Sequence, residues 1–283
     1  MLQYGEEDGI IFESINNDEG AFLYEEIFTR HSYLKHGITF DGLYTVVDVG
    51  ANIGLFSLWV MTRAPLVNQI VAIEPCQAAC EVFHRNVKHS LQDIRKSKSI
   101  DVRLLNCAVG LPIVEGEKST FVYYPDNPGE STRFPREREE QRRILAAALA
   151  NSNDVPHQLP QPTDERPGVT CTTAVHSLSH VFNDVGLHSI DLLKIDCEGS
   201  ELLALQGIGA YWSSIRQLVV EVHDIDDRLC QVVLLIQSHG FVTHTEPQMT
   251  EMSDTGYVSF IPVELQLYLV YAVRPPPPPP SST

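Results

Sequence analysis

Apolar runs rich in β-branched residues recur along the chain, each closing on a polar or charged side chain, with helically patterned stretches between them. Residues 44–48 end at Asp48, 69–74 at Glu74, 101–106 at Asn106, 190–196 at Asp196 and 218–223 at His223. Runs of this kind predict buried parallel strands, and the intervening periodicity of 3.6 predicts helices over residues 55–62, 76–90, 176–185, 200–205 and 227–237. Gly207 and Gly240 stand where the last two would stop. Further strands are expected at 169–173, 241–244 and 265–273. Near the start, Phe22, Leu23, Ile27, Phe28 and Leu34 fall at helical spacing, with Asn17 or Asp18 as N-cap and Gly37 as stop. Strands alternating with helices predict an α/β fold with a doubly wound parallel sheet.

The first strand leads into Asp48-Val49-Gly50-Ala51-Asn52-Ile53-Gly54 and then into a helix. Gly50 and Gly54 leave the backbone bare, so a ligand can approach the turn and the first amides of that helix. This G-x-x-x-G spacing, led by an acid, differs from the G-x-G-x-x-G of dinucleotide folds and disfavours a nicotinamide oxidoreductase. It suits a cofactor bearing an ammonium or sulfonium group, which the Asp48 carboxylate can hold. Glu74, one strand further on, is positioned to accept two ribose hydroxyls. Asn106 can bond an adenine edge, with Ala108 among the small residues beside it that leave room for the ring. Ligands of open α/β sheets bind at the carboxyl ends of strands, where all these residues and His223 converge.

Residues 111–168 interrupt the alternation with prolines and the charge run at 136–143. A helix is expected over 135–150, with Glu139 and Arg143 paired at i, i+4. Such a run is either a solvated face or part of a lid over the substrate. Residues 155–168 should be mobile. The domain plan is then an arm and capping helix at 1–45, one catalytic domain at 46–274 carrying the lid-like insertion, and a disordered polyproline tail at 275–283. The helix of the arm either packs on the sheet or brings Glu26 and Tyr33 over the cofactor.

Composition narrows the partners. A net charge of -17 over 283 residues argues against nucleic acid and against an anionic membrane surface. No long apolar run and no signal-like start occur, so a soluble, cytoplasmic protein with a small-molecule partner is expected. The six cysteines lack C-x-x-C spacing and read as reduced thiols.

Several stretches together carry a resemblance. Val47 to Gly54, Glu74-Pro75, Ala108-Val109-Gly110, Leu193-Lys194-Ile195-Asp196-Cys197-Glu198-Gly199-Ser200-Glu201 and Glu221-Val222-His223 resemble the FkbM-type family of S-adenosylmethionine-dependent methyltransferases. The most specific element is Lys-Ile-Asp-x-Glu-Gly-x-Glu in the fourth strand. The resemblance implies a class I methyltransferase fold, Rossmann-like and doubly wound, with seven strands of which the last is antiparallel. It also implies bound S-adenosyl-L-methionine and O-methylation of sugars, polyketides or similar products. The cofactor set is then Asp48, Gly50, Asn52, Gly54, Glu74, Asn106, Ala108 and Asp196.

A hydroxyl acceptor must lose a proton as it attacks, and His223, Asp196 and Glu198 are the candidate catalytic groups. Lys194 and Asp196 share a face, as a structural ion pair or in catalysis. No metal is expected, although Asp196, Glu198, Glu201 and His223 offer cation ligands. N-methylation, and a silent cofactor-binding module on the same fold, are the alternatives.

Overall fold

The computed structural model describes residues 2–4, 10–94, 99–125, 127–151, 168–248 and 267–275. Its elements in chain order are β1 (Leu2–Tyr4), β2 (Ile11–Glu13), α1 (Asn17–Tyr24), β3 (Thr45–Val49), α2 (Leu55–Arg63), β4 (Gln69–Ile73), α3 (Gln77–Ile94), β5 (Asp101–Leu105) and β6 (Ala108–Val109). There follow β7 (Glu117–Tyr123), α4 (Pro135–Asn151), β8 (Val169–His176), α5 (Leu178–Val185), β9 (Leu192–Ile195), α6 (Glu201–Gln206), β10 (Gln217–His223), α7 (Arg228–Ser238), β11 (Val242–Pro247) and β12 (Leu267–Val273).

Seven strands form the main sheet in the order β11-β12-β10-β9-β3-β4-β5. β12 runs antiparallel to both of its neighbours, while β10, β9, β3, β4 and β5 are mutually parallel. This is the expected class I methyltransferase topology, Rossmann-like and doubly wound. The strand order reverses between β3 and β9, which opens a crevice at their carboxyl ends.

Period-two alternation assigns each strand residue to one of two cores. Val46, Leu192, Val219 and Leu269 pack on one face with α2 and the arm, whereas Val47, Val49, Leu193, Ile195 and Val220 face α5, α6 and α7. Each of these side chains contributes about 1.5–3 kcal/mol of apolar burial. Asp48 and Lys194 are register partners across β3 and β9, and they lie on the first face.

Two segments depart from the sequence expectation. The N-terminal helix is capped by Asn16, whose side chain accepts from the Asp18 amide at 2.8 Å, so neither Asn17 nor Asp18 is the cap. α1 then widens into a π-helical turn, Glu25–Thr29, and stops well short of Gly37, because His31 adopts a φ of 52° and reverses the chain. That reversal buries Tyr33 edge-on against Phe56. The second departure is β7, a strand inside the insertion that pairs antiparallel with β8 and builds a separate sheet in the order β6-β8-β7. Its residues alternate between partly buried and exposed, which leaves only a faint apolar signature. The expected helix at 135–150 is α4. Of the stretch expected to be mobile, residues 155–167 lie outside the described residues, as do residues 276–283 of the tail.

Candidate active site

The β3–α2 turn is shaped by the chain's own atoms. Gly50 has a φ of 72°, and a Cβ there would stand 1.6 Å from the Asp196 carbonyl oxygen. Gly54, with a φ of 91°, sits against the Phe83 ring, 2.7 Å from where its Cβ would be. Both glycines therefore let neighbouring chain segments close in, a different cause from the ligand approach read from the sequence. The amides of Gly50 and Ala51 donate to the Ile73 carbonyl at 2.9 and 3.1 Å, which ties the turn to the end of β4.

Asp48 is fully buried, and its Oδ2 accepts from the Ser57 hydroxyl at 2.7 Å. Its Oδ1 makes no hydrogen bond and stands 3.5 Å from Lys194 Nζ. Burial raises the Asp48 pKa, opposed by Lys194 and Ser57. Lys194 donates to the Gly50 carbonyl at 3.0 Å and lies 3.1 Å from Asp196 Oδ2. Burial works against its charge, yet Asp196 and Asp48 outweigh it and hold the ammonium above its ordinary pKa. The Tyr33 hydroxyl donates to Asp196 at 3.4 Å and to Glu221 at 3.3 Å. Gln248 donates to Glu26 at 2.6 Å and reaches Glu221 at 3.3 Å.

One buried lysine thus faces Asp48, Asp196, Glu221 and Glu26, and burial with mutual repulsion pushes the last two carboxyls upward. Tyr33 and Glu26 belong to this cluster, and the arm also packs Ile27 and Phe28 into the core of the sheet. Glu221 and Gln248, both missed in sequence, complete it. A cluster with acid in excess of base fits a cationic ligand group such as an ammonium or sulfonium.

Glu74 directly follows β4 and is buried. Its two oxygens accept from the Asn52 and Cys76 amides, each at 2.8 Å. Burial pushes its pKa up to about 7 against those two hydrogen bonds. Asn52, with a φ of 46°, donates from its side chain to Glu19 at 3.0 Å, and Glu19 also accepts from the Gly129 amide of the insertion at 2.7 Å. The Asn52 Oδ1 is buried without a hydrogen bond, an acceptor available to a ligand donor.

Asn106 is exposed beside Glu74, but its Nδ2 is committed to the Glu74 and Pro75 carbonyls at 2.9 and 3.1 Å. What it presents outward is therefore its oxygen. Ala108 is buried in β6 opposite Val175, so the structure gives it a packing role in the small sheet where the sequence suggested ring clearance.

A second cluster surrounds the last residue of β10. His223 is 3% exposed, with Nε2 3.2 Å from Glu198 and Nδ1 3.6 Å from the fully buried Glu201. Asp196, grouped with His223 in the sequence reading, turns instead to Lys194 and Tyr33, and Glu201 takes its place at the ring. Glu198 has a φ of 50° and Gly199 one of 99°, a left-handed pair that aims the Glu198 carboxylate back at β10. Such a conformation in a non-glycine residue costs on the order of 1–3 kcal/mol and is found where a site demands it.

The insertion closes over this cluster. Thr132 donates to the Glu198 carbonyl, and Arg138 pairs with the Glu198 carboxylate. Arg228 donates to the His223 carbonyl at 2.9 Å and to Glu137 of α4 at 2.8 Å. Glu137, Arg138, Gln141, Phe134, Glu198 and His223 line a small solvent-open recess with room for about one water-sized group. The charge run is thus more than a solvated face. Its Glu137 and Arg138 belong to the site, and no spacing rule in the sequence marks those two out from their neighbours.

Among the described residues, no helix is long and apolar enough to cross a membrane. The model of the Methyltransferase FkbM domain matches residues 48–253. The chain is 35% identical over 244 residues to the 31-O-demethyl-FK506 methyltransferase FkbM of Streptomyces tacrolimicus, covering 84% of this chain and 88% of that one. It is 32% identical over 248 residues to methyltransferase sdnD of Sordaria araneosa, covering 83% and 87%. Among solved structures, the FkbM methyltransferase of Methylobacillus flagellatus KT aligns with a TM-score of 0.47 at 16% identity, covering 88% of this chain and 47% of that one. The chain belongs to the FkbM family of methyltransferases.

Proposed function

We propose that the protein O-methylates a hydroxyl of a small molecule, with His223 as the proton acceptor. The observation that carries this reading is a buried imidazole flanked by Glu198 and Glu201, beside a recess walled by the insertion. S-adenosyl-L-methionine, when bound, supplies an activated methyl group on a sulfonium. Membership of the family implies this donor, and the residues at the crevice fit it. Glu74 is the ribose acceptor, Asn52 and Asn106 offer side-chain oxygens to its donors, and the acidic cluster around Asp196 suits its positive charges.

Positioning is the main contribution of the protein, since holding donor and acceptor in line removes most of the entropic barrier. The acceptor hydroxyl lies in the recess. His223 Nε2 takes its proton, and Glu198 and Glu201 stabilise the imidazolium that results. Glu201 lies 3.6 Å from Nδ1, near enough for its charge to favour the protonated ring. Arg138 holds Glu198 in place. An amine acceptor loses its proton more readily and has less need of this base, which favours the hydroxyl over N-methylation. A small-molecule partner also agrees with the net charge of -17.

The test is transfer of a labelled methyl from S-adenosyl-L-methionine to a panel of hydroxyl and amine compounds. Label should appear on oxygen, and His223→Ala should lower the turnover number by roughly 10²- to 10⁴-fold while cofactor affinity stays within a factor of about two. Label on nitrogen, or wild-type single-turnover rates in His223→Ala, would overturn the assignment.

A further inference from the structure

A second constellation lies in the small sheet, built by residues outside the active site described above. Glu115 occupies the turn that enters β7, His176 is the last residue of β8, and His180 lies in the first turn of α5. One ligand atom from each of the three falls within 4.8 Å of the others. We propose that Glu115, His176 and His180 bind one divalent transition-metal ion of the zinc type. Two imidazoles with one carboxylate suit zinc and its neighbours better than calcium or magnesium, which take oxygen ligands.

The geometry supports this more closely than proximity alone. Metal bonds of about 2.0–2.2 Å at a tetrahedral angle set neighbouring donors roughly 3.3–3.5 Å apart. Glu115 Oε2 and His176 Nδ1 stand at 3.4 Å. That Nδ1 is buried and makes no hydrogen bond, which leaves its lone pair open to an ion. The His176 and His180 rings lie nearly parallel, 10° apart with centroids at 4.9 Å, so one ring must turn for both nitrogens to point at a shared ion.

The carboxylate is oriented from behind, as ligating carboxylates are. The Ser177 amide donates to Glu115 at 3.0 Å, and the Ser177 hydroxyl donates at 2.5 Å. Gly116 fixes the turn, since its amide donates to the Val175 carbonyl at 2.9 Å. It also has a φ of 78°, and a Cβ there would press on the His176 ring at 3.3 Å. Three protein ligands leave a fourth position for water. The bound ion clips the β7 turn to the start of α5 and stiffens the sheet from which the insertion extends.

The experiment uses the full chain, stripped with a chelator and titrated with Zn²⁺ against a chromophoric competitor. One equivalent should bind. His180→Ala, at an exposed position, and Glu115→Gln should each weaken binding by more than the roughly 10- to 100-fold that loss of an outer-shell partner costs. Zn²⁺ should raise the Tm of the wild type and leave that of His180→Ala unmoved. Co²⁺ should give visible absorption without a sulfur-to-metal charge-transfer band. A dissociation constant for Zn²⁺ weaker than about 1 mM, wild-type affinity in both variants, or a sulfur band that assigns the ion to cysteines would each overturn the proposal.

Discussion

A single absent methyl group at Gly50 decides how closely β3 and β9 meet. Its positive φ disfavours any L side chain, and an added Cβ would overlap the Asp196 carbonyl, a backbone atom with no freedom to retreat. Gly50→Ala should therefore cost about 2 kcal/mol or more of stability, measured by urea unfolding, and should weaken cofactor binding through the displaced turn. Glu74 is a different kind of residue, because it serves the fold and the ligand with the same two oxygens. Removing it abandons the Asn52 and Cys76 amides together with the ribose. Glu74→Ala should weaken S-adenosylmethionine binding by about 1.5–3 kcal/mol, the worth of hydrogen bonds to a charged group, and should also lower the Tm. Glu74→Gln keeps acceptor capacity at one oxygen and should lose less of both. Calorimetric affinity unchanged in a folded Glu74→Ala would remove Glu74 from the ribose.

At the scale of elements, the strands were readable because parallel strands buried on both faces leave long apolar runs that stop abruptly at polar residues, as at Asp48, Glu74 and His223. The turn after β9 was readable for a related reason, since Gly199 marks the left-handed bend that directs Glu198. What the sequence concealed were contacts made across the fold. Glu201 reads in the sequence only as one of four offered cation ligands, and the register of β9 against β10 is what sets it beside the His223 ring. Arg228, Glu137 and Arg138 belong to helix starts and charge runs, where most such residues face solvent. β7 was missed because its half-exposed residues dilute the apolar signal.

The pair Glu137–Arg228 is the joint by which α4 grips the end of β10, and it tests whether the insertion is coupled to the site. Glu137→Ala and Arg228→Ala in a double-mutant cycle should show a coupling of about 0.5–3 kcal/mol in kcat/KM for the acceptor. Additive effects would mean that the insertion and His223 work independently.

Across the whole molecule the distribution of buried acid predicts an unusual response to pH. Burial raises Glu26, Glu74 and Glu221 above their ordinary range, with Glu74 at about 7. The folded state then holds more protons than the unfolded one from about pH 4.5 upward, so stability falls as pH rises through about 7, where Glu74 ionises. Glu74 alone contributes a decline on the order of 3 kcal/mol. Glu246 acts in the opposite sense: burial is outweighed by Lys35 and His36, its pKa is lowered, and its contribution is lost as pH falls below the ordinary carboxylate value.

The unliganded chain should therefore be most stable near pH 5. Urea midpoints across pH 4 to 8 should show this optimum, and Glu74→Gln should flatten the decline above pH 5. Cofactor binding reverses the slope, because ribose hydroxyls donate to the ionised form of Glu74 and favour loss of its proton. Affinity should rise from pH 6 to a plateau above about pH 7, and calorimetry in buffers of different ionisation enthalpy should register a proton released on binding at pH 6.5. The release should vanish in Glu74→Gln. A proton count unchanged by that substitution would move the linked group elsewhere, with Glu26 and Glu221, around Lys194, the next to examine.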